Sequence, residues 1–245
     1  MNVPLEANET SLHDQVHDEG FAFVHGDLMR RLVDHGAPLA DWDAFAASWN
    51  ALEPDTYLAA TGRGRFRRRR HAVYAASRFG HVEPRPHQAH FQTLAYNTLQ
   101  GNIERWFEPV LPEIAQGATM GAILDFCRDF FGGLSPDVAQ WHVEVHQFRI
   151  EATAGAAGEP TPEGSHRDGV DYVLVLLIDR ENIASGTTTI HAPDGRSLGE
   201  FTLEHAFDAA LIHDPRVFHG VTPVTPLDGD KASHRDVLVV TFRAV

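Results

Sequence analysis

The sequence predicts a mainly β fold with flanking helices (α+β): a jelly roll of eight short strands in the second half, preceded by a mostly helical N-terminal extension. Two observations lead there. Between Phe21 and Phe131 the apolar residues recur at helical spacing in several short blocks, whereas from Trp141 onward the period falls to two, the repeat of a strand with one buried face. Turn residues such as Asp194-Gly195 then cut the second half into strands near 141–150, 165–168, 171–179, 186–191, 198–202, 208–213, 216–224 and 235–243. Eight such strands suit a jelly roll, with the helices of the first half bracing one sheet from outside and the inner faces enclosing a cavity. At 245 residues and 43% hydrophobic content the chain supports one substantial core, and no repeat or linker divides it. We therefore read 1–245 as a single domain, with 1–140 mostly helical and 141–245 as the β core.

Lys and Arg number 20 against 34 Asp and Glu, a net charge of −14, which argues against nucleic acid or an anionic membrane surface as a partner. The single cysteine, Cys127, excludes an internal disulfide framework. No opening stretch has the charged start and apolar run of a signal peptide, and no run of about 18 apolar residues suggests a membrane span. A soluble, cytoplasmic protein is expected.

Taken in order, the first 19 residues carry several acids and no sustained apolar period, and lead at most into a short helix. Phe21-Ala22-Phe23-Val24 reads as a strand; Leu28, Met29, Leu32 and Val33 follow at helical spacing, with Gly36 and Pro38 as the stop. Asp41 is placed to cap a helix whose Trp42, Phe45, Ala46 and Trp49 form one apolar stripe for the core. Arg63 to Arg70 is the one basic concentration. As a strand it puts Arg65, Arg67 and Arg69 on one side, able to meet an anionic ligand, and Phe66, Arg68 and Arg70 on the other. The plainer reading is a solvated face paired with the excess carboxylates.

His81, His87 and His90 lack metal-site spacing and read as loop or surface histidines. Phe91 to Phe107 has helix-like composition, with Asn97 and Arg105 facing either a pocket or solvent. A long helix from Pro112 to Phe131 buries Ile123, Phe126, Cys127 and Phe130 and stops at Gly132-Gly133. The Ala-, Gly- and Pro-rich stretch 151–164 is the expected mobile loop.

Candidate chemistry concentrates in Gly164-Ser165-His166-Arg167-Asp168-Gly169 and in Arg216-Val217-Phe218-His219-Gly220. Residues two apart on a strand share a side, so His166 and Asp168 can form a two-toothed metal claw. His219, 51 residues after Asp168, would complete two imidazoles and one carboxylate on one face of a metal, leaving positions open for small molecules. That donor set is the non-haem Fe(II) arrangement. Arg235, another 16 residues on, opens an apolar strand and can hold a dicarboxylate through a two-pronged ion pair. Chance pairs arise among 16 histidines, and His213-Asp214 is one rival; a surface turn at Asp168 and a partly buried His219 are the plain alternatives.

On the 141–150 strand, Trp141, Val143, Val145, Gln147 and Arg149 share a parity that passes from apolar to polar. That change nominates Gln147 and Arg149 as contacts to substrate or cosubstrate. A cupin-like metal-binding protein, or a metal-dependent isomerase, would use the same barrel without oxygen chemistry. Against a hydrolase stand the closeness of Ser165, His166 and Asp168 in the chain and the lack of a glycine-flanked serine elbow.

The stretches Pro160-Thr161-Pro162-Glu163-Gly164-Ser165-His166-Arg167-Asp168-Gly169-Val170 and His234-Arg235-Asp236-Val237-Leu238 carry a family likeness, extended upstream by Gly64 to Arg70, Tyr96-Asn97 and His146-Gln147-Phe148-Arg149-Ile150. The sequence resembles the Fe(II)/2-oxoglutarate dioxygenases of the bacterial free-amino-acid (isoleucine-type) hydroxylase group, over most of the chain after about residue 20. The resemblance implies a double-stranded β-helix, with Fe(II) as cofactor and 2-oxoglutarate and O2 as cosubstrates. It also implies His166, Asp168 and His219 as iron ligands, and Arg235 as the clamp on the distal carboxylate of 2-oxoglutarate. Arg243, on the same strand parity as Arg235, is the alternative clamp. The implied reaction is hydroxylation of an unactivated C–H of a small substrate, a free L-amino acid.

Overall fold

The computed structural model describes residues 9–34, 39–60 and 66–245; Gly36, Pro38, Arg63 and Arg65 lie outside the described residues. Helix α1 (Glu9–Glu19) leads into strand β1 (Phe21–Val24), then α2 (Gly26–Asp34), α3 (Trp42–Ala47), β2 (Glu53–Pro54), α4 (Thr56–Ala59), β3 (Arg67–Ser77) and β4 (Val82–Pro84). An irregular connection reaches α5 (Pro112–Ala115) and α6 (Ala118–Leu134). The remainder is mostly strand: β5 (Gln140–Glu151), β6 (Tyr172–Glu181), β7 (Ile183–Ser185), β8 (Thr187–His191), β9 (Ser197–Thr202), β10 (Ala209–His213), β11 (Phe218–Val221), β12 (Val224–Pro226) and β13 (His234–Ala244).

One large antiparallel sheet runs β1-β10-β6-β13-β5-β3-β2, with β4 also on β3, and two smaller pieces pair β11-β8-β9 and β12-β7. The parity of the long strands assigns the two faces. Trp141, Val143 and Val145 of β5, Leu174 and Leu176 of β6, and Leu238, Val240 and Phe242 of β13 point outward into the main core. There they meet Leu12 and Val16 of α1, Met29 of α2, Phe45 of α3 and the Ile123, Phe126, Cys127 and Phe130 stripe of α6. On the other face, Phe21, Val173, Ala210 and Ile212 pack against Ile190 of the small sheet. The result is the expected jelly roll with helices bracing one sheet, and the interior between the sheets is left for a cavity. No described helix is long and apolar enough to cross a membrane.

Several boundaries differ from expectation for identifiable reasons. Residues 165–168 form no strand; only His166 bridges, exchanging backbone hydrogen bonds of 2.9 Å with His219. The single strand expected at 216–224 divides into a 3-10 turn (Asp214–Arg216), β11 and β12, because Pro215 and Pro223 lack the N–H that a continuous ladder needs. The segment 91–107 is not helical: Asn97 Oδ1 accepts the N–H groups of Leu99 (3.1 Å) and Gln100 (2.7 Å), side-chain bonds that compete with a helix. Asp41 does not cap its own helix but accepts the N–H of Thr119 at 2.8 Å, at the start of α6. The helix expected from Pro112 breaks at Gly117 and runs through Gly132-Gly133 to Leu134. A side chain at Gly133 would begin 2.3 Å from His13 Cε1, so glycine there serves the close approach of α1.

Candidate active site

Alternation along β5 and β13 turns His142, Glu144, His146, Phe148 and Ile150, with Arg235, Val237, Val239 and Thr241, toward one cavity of about 540 Å³. His166, Asp168 and His219 open onto the same cavity. Its size is that of a small-molecule site.

The structure brings the three expected metal-binding residues together. His166 Nε2 lies 3.5 Å from Asp168 Oδ1, and His219 Nε2 lies 3.5 Å from Asp168 Oδ2. His166 Nδ1 is 3.0 Å from the Gly164 carbonyl, so that N–H donates there and Nε2 remains for a metal. Although burial opposes charging the ring, Asp168, Glu163 and the Gly164 carbonyl push the His166 pKa up to about 9. The same acceptors suit a divalent cation. Burial likewise opposes ionising Asp168, but His166 and His219 hold its carboxyl well below the ordinary range.

Asp214, a rival ligand on sequence grounds, has another part. Its buried carboxylate accepts the backbone N–H groups of Asp168 and Gly169, both at 2.9 Å, and of Val170 at 3.3 Å. It thereby fixes the loop that presents Asp168, where no strand does so. Its neighbour His213 stacks on Tyr172 with ring centroids 4.8 Å apart, outside the cluster.

Arg235 enters the cavity from β13 and is only 2% exposed, yet its Nε and Nη2 have no hydrogen-bond partner. Burial, and then the charge of Arg180, lower its pKa to about 10 against the opposing pull of Asp236. A buried guanidinium with two free donors is costly unless an anion arrives to meet it. Arg243, the alternative clamp, lines the same cavity from the other end of the strand but is solvent-exposed.

Gln147 and Arg149 correct an expectation. Both face the helical side of β5: Gln147 Nε2 donates to Ser48 Oγ at 2.8 Å, and Arg149 pairs bidentately with Asp236 at 2.7 and 2.6 Å. Neither lines the cavity. Their parity is that of Trp141, Val143 and Val145, which is the core parity along the whole strand; at its far end the polar side chains bond the 3-10 turn of residues 48–51, Gln147 to Ser48 and Arg149 to Asn50. The residues that reach the cavity, His142, Glu144 and His146, interrupt that stripe at the other parity, and this alternation was the signal available in the sequence.

The arginine run behaves differently from a solvated face. Arg67 and Arg69 are buried on the cavity side of β3. Arg67 grips Asp55 through Nε (2.9 Å) and Nη2 (2.6 Å), while Arg69 Nη1 lies 3.7 Å from the same carboxylate. Arg68 and Arg70 face the other way, toward Glu151 and Glu53. His90, read as a loop or surface residue, is buried against Glu144, and Arg105 is buried in the cavity wall.

Asp55 also accepts the Leu58 N–H at 3.0 Å, so its removal would strand two buried guanidiniums and one end of α4. Asp55→Ala is expected to lower unfolding stability by about 3–5 kcal/mol, read from urea melts at neutral pH. Burial would raise this carboxyl's pKa, but Arg67, Arg69 and the Leu58 N–H together depress it. The contribution is therefore fully present above the unfolded value of about 3.9 and is lost as pH falls through the lower folded value. An unchanged urea midpoint at pH 7 would refute it.

Fold and site together define a jelly-roll protein with a His2Asp cluster and a buried arginine in one cavity. Residues 46–241 match the sequence profile of the 2OG-Fe dioxygenase family, and the chain belongs to that family. It is therefore a family whose cofactor is Fe(II), with 2-oxoglutarate and O2 as cosubstrates. The chain is 29% identical over 157 residues to 3(1)-hydroxy-L-isoleucine 4-dioxygenase of Pantoea ananatis, a match covering 62% of each chain. It is 28% identical over 167 residues to L-isoleucine-4-hydroxylase of Bacillus thuringiensis, covering 62% of this chain and 64% of that one. The matches thus span less than two thirds of these relatives' length. A crystal structure of a bsmA homologue from Methylobium petroleophilum PM1 superposes with a TM-score of 0.87 at 35% identity, covering 99% of this chain and 95% of that one.

Proposed function

We propose that this chain is an Fe(II)- and 2-oxoglutarate-dependent dioxygenase that hydroxylates an unactivated C–H of a free L-amino acid. The observation that carries the reading is Arg235: a buried guanidinium with free Nε and Nη2, in the same cavity as His166, Asp168 and His219. The donor set fits Fe(II), and the planar fork of Arg235 fits a carboxylate at the far end of a bound dicarboxylate. The match of residues 46–241 to the 2OG-Fe dioxygenase family weighs against a cupin-like binding protein or an isomerase.

His166, Asp168 and His219 would hold the metal, with the Gly164 carbonyl fixing the His166 ring and Asp214 fixing the Asp168 loop. Arg235 would orient 2-oxoglutarate. When bound, Fe(II) would activate O2 as the oxidant and 2-oxoglutarate would supply two electrons, leaving as succinate and CO2, so that one oxygen atom ends in succinate and the other in the hydroxylated C–H. Phe148, Val175 and Val239 line the cavity with apolar surface suited to an aliphatic side chain, in keeping with the two relatives named for L-isoleucine and 3(1)-hydroxy-L-isoleucine.

The test is an anaerobic reconstitution with Fe(II) and 2-oxoglutarate, followed by air and a screen of the proteinogenic L-amino acids for succinate and for product heavier by one oxygen atom. Aliphatic amino acids are expected to give both. Failure of every amino acid to raise succinate above the iron-free control would overturn the reading.

A further inference from the structure

A second charged assembly occupies the cavity wall on β3, β5 and the 88–106 segment. Its centre is Glu144, whose side chain is 15% exposed. Its Oε1 accepts from His142 Nε2 at 3.2 Å, while Oε2 meets His71 Nε2 at 3.3 Å, His146 Nε2 at 3.4 Å and His90 Nδ1. Ligand atoms of His71, His90, Glu144 and His146 lie within 4.8 Å of one another, which suits either a metal ion or a caged anion.

The outer contacts favour the anion. Arg69 Nη2 lies 2.7 Å from His146 Nδ1; a guanidinium only donates, so Nδ1 is the bare nitrogen and Nε2 carries the proton toward Glu144. His71 Nδ1 is buried without a partner, so ligation through Nε2 would bury an unpaired N–H where metal-bound imidazoles normally have an acceptor. Arg67, Arg69 and Arg105 already outnumber Asp55 and Glu144, making the wall a poor place for another divalent cation. Burial would raise the Glu144 pKa, but hydrogen bonds from the four imidazoles hold it far below the carboxylate range.

This fixed anion is not saturated. Oε1 has the single donor His142, leaving a lone pair for a ligand in the cavity that Glu144 lines. Beside it, Arg105 is 2% exposed and donates to two neutral amides, Gln100 (2.8 Å) and Gln92 (2.9 Å), with Nε unpartnered. Arg69, 3% exposed, also has an unpartnered Nε, and both guanidiniums flank Phe107. Glu144 is separate from the Arg235 station: Arg235 pairs with Ile150 while Glu144 pairs with Thr241, six residues or about 20 Å along the strands. Arg67 and Arg69 lie closer, at the Ile150 and Phe148 registers, but on β3, across β5 from β13.

We propose that this alcove is the substrate head-group site, with the α-carboxylate of a free amino acid against Arg69 and Arg105 and its α-ammonium against Glu144 Oε1. The proposal rests on the amino-acid reading above and names the groups that would recognise the zwitterion. It separates two contributions: Arg105 meets any 2-substituted carboxylate, whereas Glu144 rewards only a positive charge at the α position.

The experiment is calorimetric titration of the anaerobic Fe(II)–2-oxoglutarate protein with the proteinogenic L-amino acids, and then of the tightest binder beside the 2-hydroxy acid of the same side chain and configuration. Wild type should prefer the amino acid by roughly 30-fold or more, as loss of a buried charge pair implies. Glu144→Gln should erase that preference while leaving hydroxy-acid binding within a few-fold; Arg105→Gln should weaken both ligands alike and keep the ratio. Both variants should retain 2-oxoglutarate binding, which reports folding. A preserved ratio in Glu144→Gln overturns the head-group site while the hydroxylase reading stands. Binding of no amino acid by wild type overturns both. A second equivalent of Zn2+ bound by wild type and lost in Glu144→Gln would replace the ammonium site with a metal site.

Discussion

Asp168→Ala is expected to cost iron affinity by at least about 100-fold, beyond the 10- to 100-fold typical of outer-shell losses, and to abolish turnover with it. Asp168 stands between both imidazoles, 3.5 Å from His166 Nε2 and 3.5 Å from His219 Nε2, and supplies the cluster's negative charge. The loop should keep its path, since Asp214 holds the backbone N–H groups of residues 168–170 and not the lost carboxylate. One other carboxylate is near: Glu163 Oε1, 3.5 Å from His166 Nε2. Any residual affinity should therefore vanish in Asp168→Ala/Glu163→Gln. Anaerobic Fe(II) titration checks the series, with His213→Ala as the control, because His213 stacks on Tyr172 away from the cluster. Wild-type iron affinity in the Asp168 variant would refute the ligand assignment.

Local pattern carried much of the fold and part of the site. The period-two stripe of β5 and the helical stripe of α6 are both long and apolar, so each declares its buried face, and the His166–Asp168 pair with His219 and Arg235 was legible as a constellation. What the pattern could not say was which face of a strand looks inward. On β5 the apolar face meets the helices and the polar face meets the cavity, so extending the apolar parity to Gln147 and Arg149 led to the wrong side. The part played by Glu144 is illegible in the local sequence for a related reason. Its imidazole partners come from β3, β5 and the 88–106 segment, up to 73 residues away in sequence, and no local spacing announces them. Asp55, which neutralises the Arg67–Arg69 corner from a loop, was hidden in the same way.

Arg235→Lys is expected to weaken 2-oxoglutarate binding by roughly 30- to 1,000-fold, about 2–4 kcal/mol, while leaving iron binding intact. The charge survives the substitution, so the effect tests geometry. Arg235 lines the cavity and has two buried, unpartnered donor atoms, Nε and Nη2, and one ammonium cannot place two parallel N–H groups on a carboxylate. Lysine is also shorter in reach and more strongly hydrated, so a position as buried as that of Arg235 penalises it twice. Arg243→Lys should change little, because Arg243, although it also lines the cavity, is solvent-exposed and so meets an anion with a hydrated rather than a buried guanidinium. Anaerobic titration of 2-oxoglutarate into the three Fe(II)-loaded proteins, followed by the metal-to-ligand charge-transfer absorption, reads the outcome. Unchanged affinity in Arg235→Lys with loss in Arg243→Lys would move the clamp to Arg243. No charge-transfer band in iron-loaded wild type would remove 2-oxoglutarate from the cavity and leave the buried guanidinium waiting for a different anion.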